Sequence, residues 1–192
     1  MKKGFTIIEV SILFVIFLIV AFLVAPLSLD DTTQAKNISR WRSVQQDFSN
    51  IFYSVSNHNE ETSLPFKTAL ETILNNEIKK ETSLYKITFL NGTYPSNTYR
   101  FKDFSTTFSN ATIAVKVFEE PQEELLGILM YDVNGKVGPN VWGKDVFGLN
   151  IYKDKFEPFG KNESLNNQKQ DCSKNGTGLF CSNYYLIGGS FD

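Results

Sequence analysis

Histidine is almost missing from this chain, since His58 is a single residue among 192. Ser-His and Cys-His nucleophilic sites need a histidine base. His58 falls at the end of a predicted helix, so the chain offers little for nucleophilic catalysis of this kind. The sequence also contains no glycine-rich phosphate loop of the Walker or dinucleotide-binding kind. We therefore expect a protein that is not an enzyme and that needs no organic cofactor.

An excess of charge of either sign is missing too. The 19 lysines and arginines nearly balance the 21 acidic residues, which gives a net charge of −2 at pH 7. Nucleic-acid binding usually shows as a strongly basic patch, so no nucleic-acid partner is expected. Beyond residue 27 the composition is polar and aromatic, which suits a β-rich globular domain with a buried core.

What the sequence does have is a long apolar run at its N-terminal end. Between Phe5 and Leu27 the polar side chains are Thr6, Glu9 and Ser11. About 20 apolar residues cross the roughly 30 Å hydrocarbon layer as a helix. The run is longer than the apolar part of a secretory signal, and no Ala-x-Ala pattern closes it. The sequence therefore predicts a transmembrane helix over residues 5–27.

The charges on either side of this run predict its orientation. Lys2 and Lys3 precede it, whereas Asp30 and Asp31 follow it. Positive residues favour the cytoplasmic side of a membrane. We therefore expect a single pass with the N-terminus inside and residues 28–192 outside the cytoplasm.

Glu9 is the residue that a simple membrane anchor does not explain. A carboxylate at the bilayer centre costs about 2.5–3.5 kcal/mol on insertion scales, and less near an end of the span. Such a group usually has a cationic partner, and none lies within helical reach inside the run. Either Glu9 is an interfacial charge tolerated near the cytoplasmic end of the span, or its partner is an N-terminal amine or another molecule.

The first residues also carry a family resemblance. The sequence Lys2-Lys3-Gly4-Phe5-Thr6-Ile7-Ile8-Glu9 resembles the class III signal of type IV pilins and pseudopilins. The resemblance implies that residues 1–4 are a leader, cut between Gly4 and Phe5 by prepilin peptidase. It also implies that the same enzyme methylates the new amine of Phe5. Pro26 matches the proline at which many pilins kink this helix.

Cleavage would place a positive amine on Phe5, four residues before Glu9. In a filament, Glu9 of one subunit can pair with the amine of a neighbour. Two unit charges about 4 Å apart gain about 4 kcal/mol at an effective dielectric near 20. We expect Glu9 to set the stagger between subunits and to favour assembly.

Residues 31–57 predict an amphipathic continuation of the membrane helix. Apolar residues recur there at the spacing of one helix face: Ile38, Trp41, Val44, Phe48, Ile51, Phe52 and Val55. The opposite face carries Arg40, Arg42, Gln45, Gln46 and Asp47. We expect this stripe to pack on a sheet.

The rest of the chain reads as one helix followed by short strands. Residues 64–79 have a helical apolar face, with Pro65 in the first turn. The runs that favour strands are YKITFL, TYRFKDF, TIAVKVF, LLGILMYDV and VFGLNIY. Short breaks such as Asn91-Gly92 and Asn134-Gly135 separate them and favour antiparallel pairing. The predicted fold is α+β and pilin-like, with a long N-terminal helix on an antiparallel sheet.

The stretch DVNGKVGPNVWGKDVFG, residues 132–148, is rich in oxygen donors and glycine. Calcium prefers hard oxygen ligands, and the candidates here are Asp132, Asn134, Asn140 and Asp145. The stretch fails as an EF-hand, since Lys136 occupies a ligand position. The alternative is a structural turn held by side-chain-to-backbone hydrogen bonds. The stretch resembles a segment of some minor pilins, whose pseudopilin relatives have a calcium loop. Calcium binding and a structural turn both remain open.

Cys172 and Cys181 are the two cysteines of the chain. They are too few for a metal site and lack the Cys-x-x-Cys spacing of thiol-redox proteins. Disulfides persist outside the cytoplasm, so a structural disulfide is favoured. It would pin the C-terminal tail, where Tyr184-Tyr185-Leu186-Ile187 predicts a last strand.

Two classes of function fit this sequence. The resemblance implies a minor pilin or pseudopilin of a type IV pilus or a type II secretion-type filament. Its partners would be other subunits, prepilin peptidase and the inner membrane, before assembly into a periplasmic or cell-surface filament. The alternative is a membrane-anchored extracytoplasmic binding module that does not polymerise. Cleavage after Gly4 and entry into filaments distinguish the two.

Overall fold

The computed structural model describes residues 7–56, 86–96, 99, 104–108, 111–122, 125–135, 138, 140–152 and 155–191. These residues form a mixed structure of helices and an antiparallel sheet, as the sequence predicts. The chain divides into two compact units, of which one ends at Lys36 and the other begins at Asn37. The predicted helix over residues 64–79 lies outside the described residues.

The first helix, α1, spans Ile7–Ser56. In its first unit, the apolar side chains between Ile7 and Val20 that the structure describes are all exposed, from 45% at Leu18 to 86% at Ile7. Within the described part of the chain, no helix combines the length and the apolarity that crossing a membrane requires. The predicted leader, residues 1–4, and its cleavage site lie outside the described residues.

In the second unit, α1 is amphipathic. Trp41, Val44 and Phe48 are buried, as their spacing on one helix face predicts. Arg40, Arg42, Gln46 and Asp47 are exposed. The described helix runs to Ser56, and Asn57, the last residue of the predicted amphipathic helix, lies outside the described residues.

In the described part of the chain, seven strands follow α1: β1 (Ile87–Thr88), β2 (Phe104–Phe108), β3 (Ala111–Gln122), β4 (Leu125–Asp132), β5 (Asn140–Val141), β6 (Val146–Tyr152) and β7 (Phe156–Pro158). Five of them form an antiparallel sheet in the order β2-β3-β4-β6-β7. A separate two-stranded sheet pairs β1 with β5 in parallel. The predicted strand runs 112–118, 125–133 and 146–152 coincide with β3, β4 and β6.

Alternating residues divide the five-stranded sheet into two buried faces. One face, here called the α1 face, packs against Trp41, Val44 and Phe48 of the helix. Its strand residues are Ile113, Val115, Leu129, Tyr131, Phe147, Leu149 and Ile151. The opposite face, here called the second face, carries Ala114, Ile128, Met130 and Val146 and is covered by Trp142, Phe159 and Leu179. Both faces are covered, which explains why β4 and β6 are apolar at nearly every position.

Two short helices follow the sheet: α2 (Leu165–Asp171) and α3 (Cys181–Leu186). The strand predicted over Tyr184–Ile187 is therefore wrong, since most of that segment belongs to α3. The β-propensity of two tyrosines and two aliphatic residues is overridden by tertiary burial. Cys181, Tyr184 and Tyr185 stand at helical spacing, and all three are buried against the α1 face.

The strand predicted for TYRFKDF is also wrong at its start. The backbone N–H of Tyr99 donates to the carbonyl of Ser96 at 3.1 Å. A hydrogen bond between residues three positions apart is characteristic of a 3₁₀ turn. The strand in this region, β2, begins only at Phe104. In the run YKITFL, whose described residues are 86–90, Ile87 and Thr88 form a strand and the other described residues do not.

Candidate functional site

The exposed apolar part of α1, from Ile7 to Val20, is the first candidate surface. Ile7, Ile8 and Phe17 are 86%, 72% and 67% exposed. From Val10 to Val20 every residue except Ser11 is apolar, so this part of the helix is apolar nearly all round. A helix that is apolar all round is stable only when lipid or other apolar helices surround it. Ser11 satisfies its hydroxyl locally, since its Oγ donates to the carbonyl of Ile7 at 2.8 Å.

The residues predicted to act in processing and assembly belong to the same end of the chain. Gly4 and Phe5 lie outside the described residues. Glu9 is part of α1, but its side chain also lies outside the described set. The predicted roles of these residues therefore stay predictions.

The loop after β4 brings together three of the four residues predicted to bind calcium. Asp132 Oδ1 accepts from the backbone N–H of Asn134 at 3.1 Å. The Asn134 side chain in turn donates Nδ2 to Asp145 Oδ2 at 3.2 Å. Asp145 Oδ1 accepts from the backbone N–H of Val141 at 2.6 Å. These bonds are of the kind that a structural turn requires.

The fourth predicted ligand, Asn140, points its amide elsewhere. Its Nδ2 donates to the carbonyl of Lys86 at 3.4 Å, beside the pairing of β1 with β5. Among the described residues, no group of three His, Cys, Asp or Glu side chains could hold a metal ion. The carboxylates of Asp132 and Asp145 accept hydrogen bonds within the turn. The buried Asn140 Oδ1 has no hydrogen-bond partner among the described residues, and calcium binding here stays a prediction.

Asp145 is a buried carboxyl of this loop whose pKa is shifted by its surroundings. Its side chain is 4% exposed. Burial raises the pKa of Asp145 to about 6, against the hydrogen bonds from Val141 and Asn134 and the charge of Lys144, which lower it. A carboxyl with this pKa changes its charge in mildly acidic solution.

Side chains of α1 fasten the helix to this loop and to α3. Asn37 Nδ2 donates to the carbonyl of Lys144 at 3.2 Å, and Arg40 Nη1 donates to the carbonyl of Val133 at 3.1 Å. On the other side, Trp41 Nε1 donates to the carbonyl of Ser182 and Arg42 Nε to that of Tyr185, both at 2.8 Å. The sequence predicted Trp41 as core but gave no sign of these polar contacts.

The predicted disulfide is confirmed. Cys172 and Cys181 are bonded, with their Cα atoms 5.0 Å apart. The bond joins the residue after α2 to the first residue of α3. The segment between the two cysteines, residues 173–180, is here called the disulfide loop.

Asp171 is a second constraint on the disulfide loop, which sequence reasoning missed. Its Oδ1 accepts from the backbone N–H and the hydroxyl of Thr177, at 2.8 and 2.6 Å. Its Oδ2 accepts from the backbone N–H of Phe180 at 2.9 Å. The signal in the sequence is an aspartate directly before the first cysteine, with a threonine inside the loop.

Two glycines allow the disulfide loop to approach the loop before β6. Gly143 has φ +81°, and a Cβ there would lie 2.6 Å from the sulfur of Cys181. Gly178 has φ +82°, and a Cβ there would lie 2.2 Å from the carbonyl oxygen of Trp142. Only glycine fits at these two positions, because both have a positive φ and neither has space for a Cβ. Tyr185 adds a hydrogen bond from its hydroxyl to the carbonyl of Gly143 at 3.0 Å.

The comparisons were made with models of known protein families, with curated proteins and with solved structures. None of these comparisons finds a match for this chain.

Proposed function

We propose that this chain is a filament subunit of the type IV pilin and pseudopilin class, assembled through its apolar N-terminal helix. The observation that carries the proposal is the sequence Lys2-Lys3-Gly4-Phe5-Thr6-Ile7-Ile8-Glu9 at the head of an apolar run. A basic leader ending in glycine is followed at a fixed distance by an acidic residue among apolar ones. An acidic residue at that position is costly in a simple anchor, since a carboxylate in hydrocarbon needs a partner.

The exposure of the first part of α1 supports the proposal. Apolar side chains such as Ile8, Phe14 and Phe17 are more than half exposed in the single chain. Exposed apolar surface of this extent marks a contact with lipid or with other chains. Before assembly that contact is the inner membrane, and after assembly it is the apolar helices of neighbouring subunits.

The second unit supports a structural role for the rest of the chain. Trp41, Val44 and Phe48 fix α1 to the α1 face of the sheet, so that a globular domain is carried on the same helix as the apolar surface. The domain lies outside the cytoplasm in this proposal, where the disulfide between Cys172 and Cys181 is stable. We assign the chain no enzymatic activity. As a minor pilin or pseudopilin, it has other subunits and prepilin peptidase as partners.

The first test is the N-terminal sequence of the mature protein from its native host. A start at N-methylated Phe5 supports processing by prepilin peptidase. A mature chain that still begins at Met1 contradicts the proposal and favours the membrane-anchored module that never polymerises.

The second test separates processing from assembly through Glu9. Glu9→Gln keeps the shape of the side chain but removes its charge, so the pairing with the amine of a neighbouring subunit is lost. We expect the variant to be cleaved normally, but to enter filaments at about a tenth of the wild-type level or less, since one lost charge pair of about 4 kcal/mol disfavours assembly. The measurement is the ratio of filament-bound to membrane-bound subunit in sheared and pelleted fractions.

The matched control is Asp47→Asn, which removes an exposed carboxylate from the same helix in the globular unit. Asp47→Asn should assemble at the wild-type level. Filaments that contain as much Glu9→Gln subunit as wild type would contradict the role of Glu9.

A further inference from the structure

A cleft of about 230 Å³ opens on the second face of the sheet. One wall is the turn after β7, which contains Lys161, Asn162 and Glu163. The other wall is the end of the disulfide loop at Phe180, and Asn150 of β6 and Tyr99 also line the space. Its volume lies below the roughly 300 Å³ at which sites for drug-sized ligands begin, so it suits a ligand of about one ring.

Two aromatic rings give the cleft an apolar surface. Tyr99 and Phe180 are both only half-buried, so part of each remains open to a ligand. The Tyr99 ring is held edge-on against Phe159 and Trp142, with ring centres 5.8 and 6.3 Å apart. Burial and the Asp171 carboxylate raise the pKa of the Tyr99 hydroxyl, which therefore stays protonated and able to donate. A tyrosine so placed offers both a flat apolar face and a hydroxyl.

Asn150 is the least expected residue of the cleft. It lies on the second face, between Ile128 of β4 and Glu157 of β7 in the strand register. It occupies a half-buried position on a face that is otherwise largely apolar. Its amide makes no hydrogen bond to other residues that the structure describes. The amide of Asn150 has an NH₂ group that can donate and a carbonyl oxygen that can accept. Both of these groups remain available for a ligand.

The charges at the rim do not select an ion. Lys161 and Glu163 carry opposite charges, and both are exposed. Asn162 beside them adds a second amide, which is also exposed. A ligand that satisfies such a site is uncharged, carries several hydroxyl groups that both donate and accept, and has one apolar face.

We propose that this cleft binds a single sugar ring, either a free hexose or the terminal residue of a glycan. The ring lays its C–H face on Tyr99 and Phe180, and its hydroxyls bond to the amides of Asn150 and Asn162. None of the residues that line the cleft belongs to α1. The disulfide holds one wall in place, because Phe180 directly precedes Cys181.

The test is ligand binding by the full chain in micelles of dodecylphosphocholine, a detergent without a sugar headgroup. The probes are glucose, galactose, mannose, N-acetylglucosamine and N-acetylgalactosamine, each followed by saturation-transfer NMR and titrated for its dissociation constant. We expect at least one of them to bind with a millimolar constant. We also expect Asn150→Ala and Asn162→Ala each to weaken that binding about tenfold, the effect of about one lost hydrogen bond.

Asn166→Ala is the matched control, since it removes an exposed amide of α2 that does not line the cleft. It should bind as the wild type does. Asn162 belongs to an exposed turn, so its variant tests the site even if Asn150→Ala folds poorly. Absence of binding by all five sugars, or equal binding by wild type and Asn162→Ala, overturns the proposal. Chitobiose and lactose distinguish a site for a free sugar from a site for the end of a glycan. A glycan site binds the disaccharide at least as tightly as the corresponding monosaccharide, whereas a site for a free sugar binds the disaccharide more weakly.

Discussion

At the scale of single residues, Asp145 holds the ends of several strands together. Its carboxylate accepts from Val141 at the end of β5 and from the side chain of Asn134 after β4. Its backbone carbonyl accepts from the N–H of Val133 at 2.9 Å. Hydrogen bonds favour the charged carboxylate, but burial disfavours it more strongly and decides the direction of the pKa shift.

This residue should make stability depend on pH. The pKa of Asp145 rises from 3.8 to about 6 on folding, so the folded state favours the protonated form. The stabilisation that comes from the protonated Asp145 side chain is complete below pH 3.8. It is lost as the pH rises toward 6 and is absent above pH 6. A shift of roughly two units corresponds to about 3 kcal/mol.

The measurement is urea unfolding of the full chain and of Asp145→Asn between pH 3.5 and about 7. Asparagine does not titrate, so the stability of the wild type relative to the variant should fall by about 3 kcal/mol over this range. The carboxyl carbon resonance of Asp145 should titrate with a midpoint near 6. Parallel stability curves for the two proteins would show that Asp145 ionises as an ordinary aspartate.

At the scale of secondary-structure elements, the long strands could be predicted from the sequence and the short ones could not. β3, β4 and β6 fall on apolar runs of seven residues or more, bounded by turn residues. β1 and β5 are two residues each and are paired across a long stretch of chain, so no local pattern indicates them. The helix α3 was missed because a short apolar run does not distinguish helix from strand. Gly188 and Gly189, which follow the C-cap residue Ile187, were the signal for a helix end.

The candidate site could be predicted only in part, for a similar reason. The sequence grouped Asp132, Asn134 and Asp145 correctly because they lie in one turn. The contact of Asp171 with Phe180 was missed although both residues flank or belong to one short disulfide loop. The placement of Asn150 beside Tyr99 could not be predicted, since it depends on how distant segments pack.

The disulfide loop has two constraints, and removing them separately should distinguish their roles. Reduction of the bond between Cys172 and Cys181 should lower stability by about 2.7 kcal/mol, the entropy of closing a loop of about ten residues. The reduced chain should remain folded, because Asp171 still accepts from Thr177 and Phe180. Near-ultraviolet circular dichroism, which reports the packing of Tyr184 and Tyr185, is the measurement.

Asp171→Ala should behave differently under the same reducing conditions. Two backbone N–H groups then lose their acceptor, at a cost of about 1–3 kcal/mol each if they stay buried. We expect the reduced variant to lose its near-ultraviolet signal, whereas reduced Asp47→Ala, with an exposed carboxylate removed, keeps it. Identical signals from the two reduced variants would rule out a clamp by Asp171.

At the scale of the whole molecule, the boundary between the two units falls inside α1, between Lys36 and Asn37. The helix therefore supplies core residues to the globular unit, and that unit cannot be complete without them. Trp41 and Phe48 are 0% and 1% exposed. Loss of a buried aromatic side chain costs about 3–5 kcal/mol, and a typical domain has only about 5–15 kcal/mol of stability in total.

Two truncated chains test this boundary. A chain that begins at Asn37 keeps the buried stripe and should unfold cooperatively, with a native near-ultraviolet spectrum. A chain that begins at Asn57 lacks Trp41, Val44 and Phe48 and should be without fixed tertiary structure. Cooperative unfolding of the shorter chain would contradict the assignment of this stripe to the core.

The hydrogen bonds that hold α1 against the sheet and α3 have a mechanical consequence. Arg40, Trp41 and Arg42 are successive residues, spread over about 200° of the helix circumference, and each donates to a carbonyl of a different residue. Sliding or rotating the helix strains all three hydrogen bonds together. A force along the helix axis therefore loads the three bonds at the same time and does not break them one after another. Tension applied at one end of α1 is thus shared between the sheet, through Val133, and the disulfide-pinned tail, through Ser182 and Tyr185.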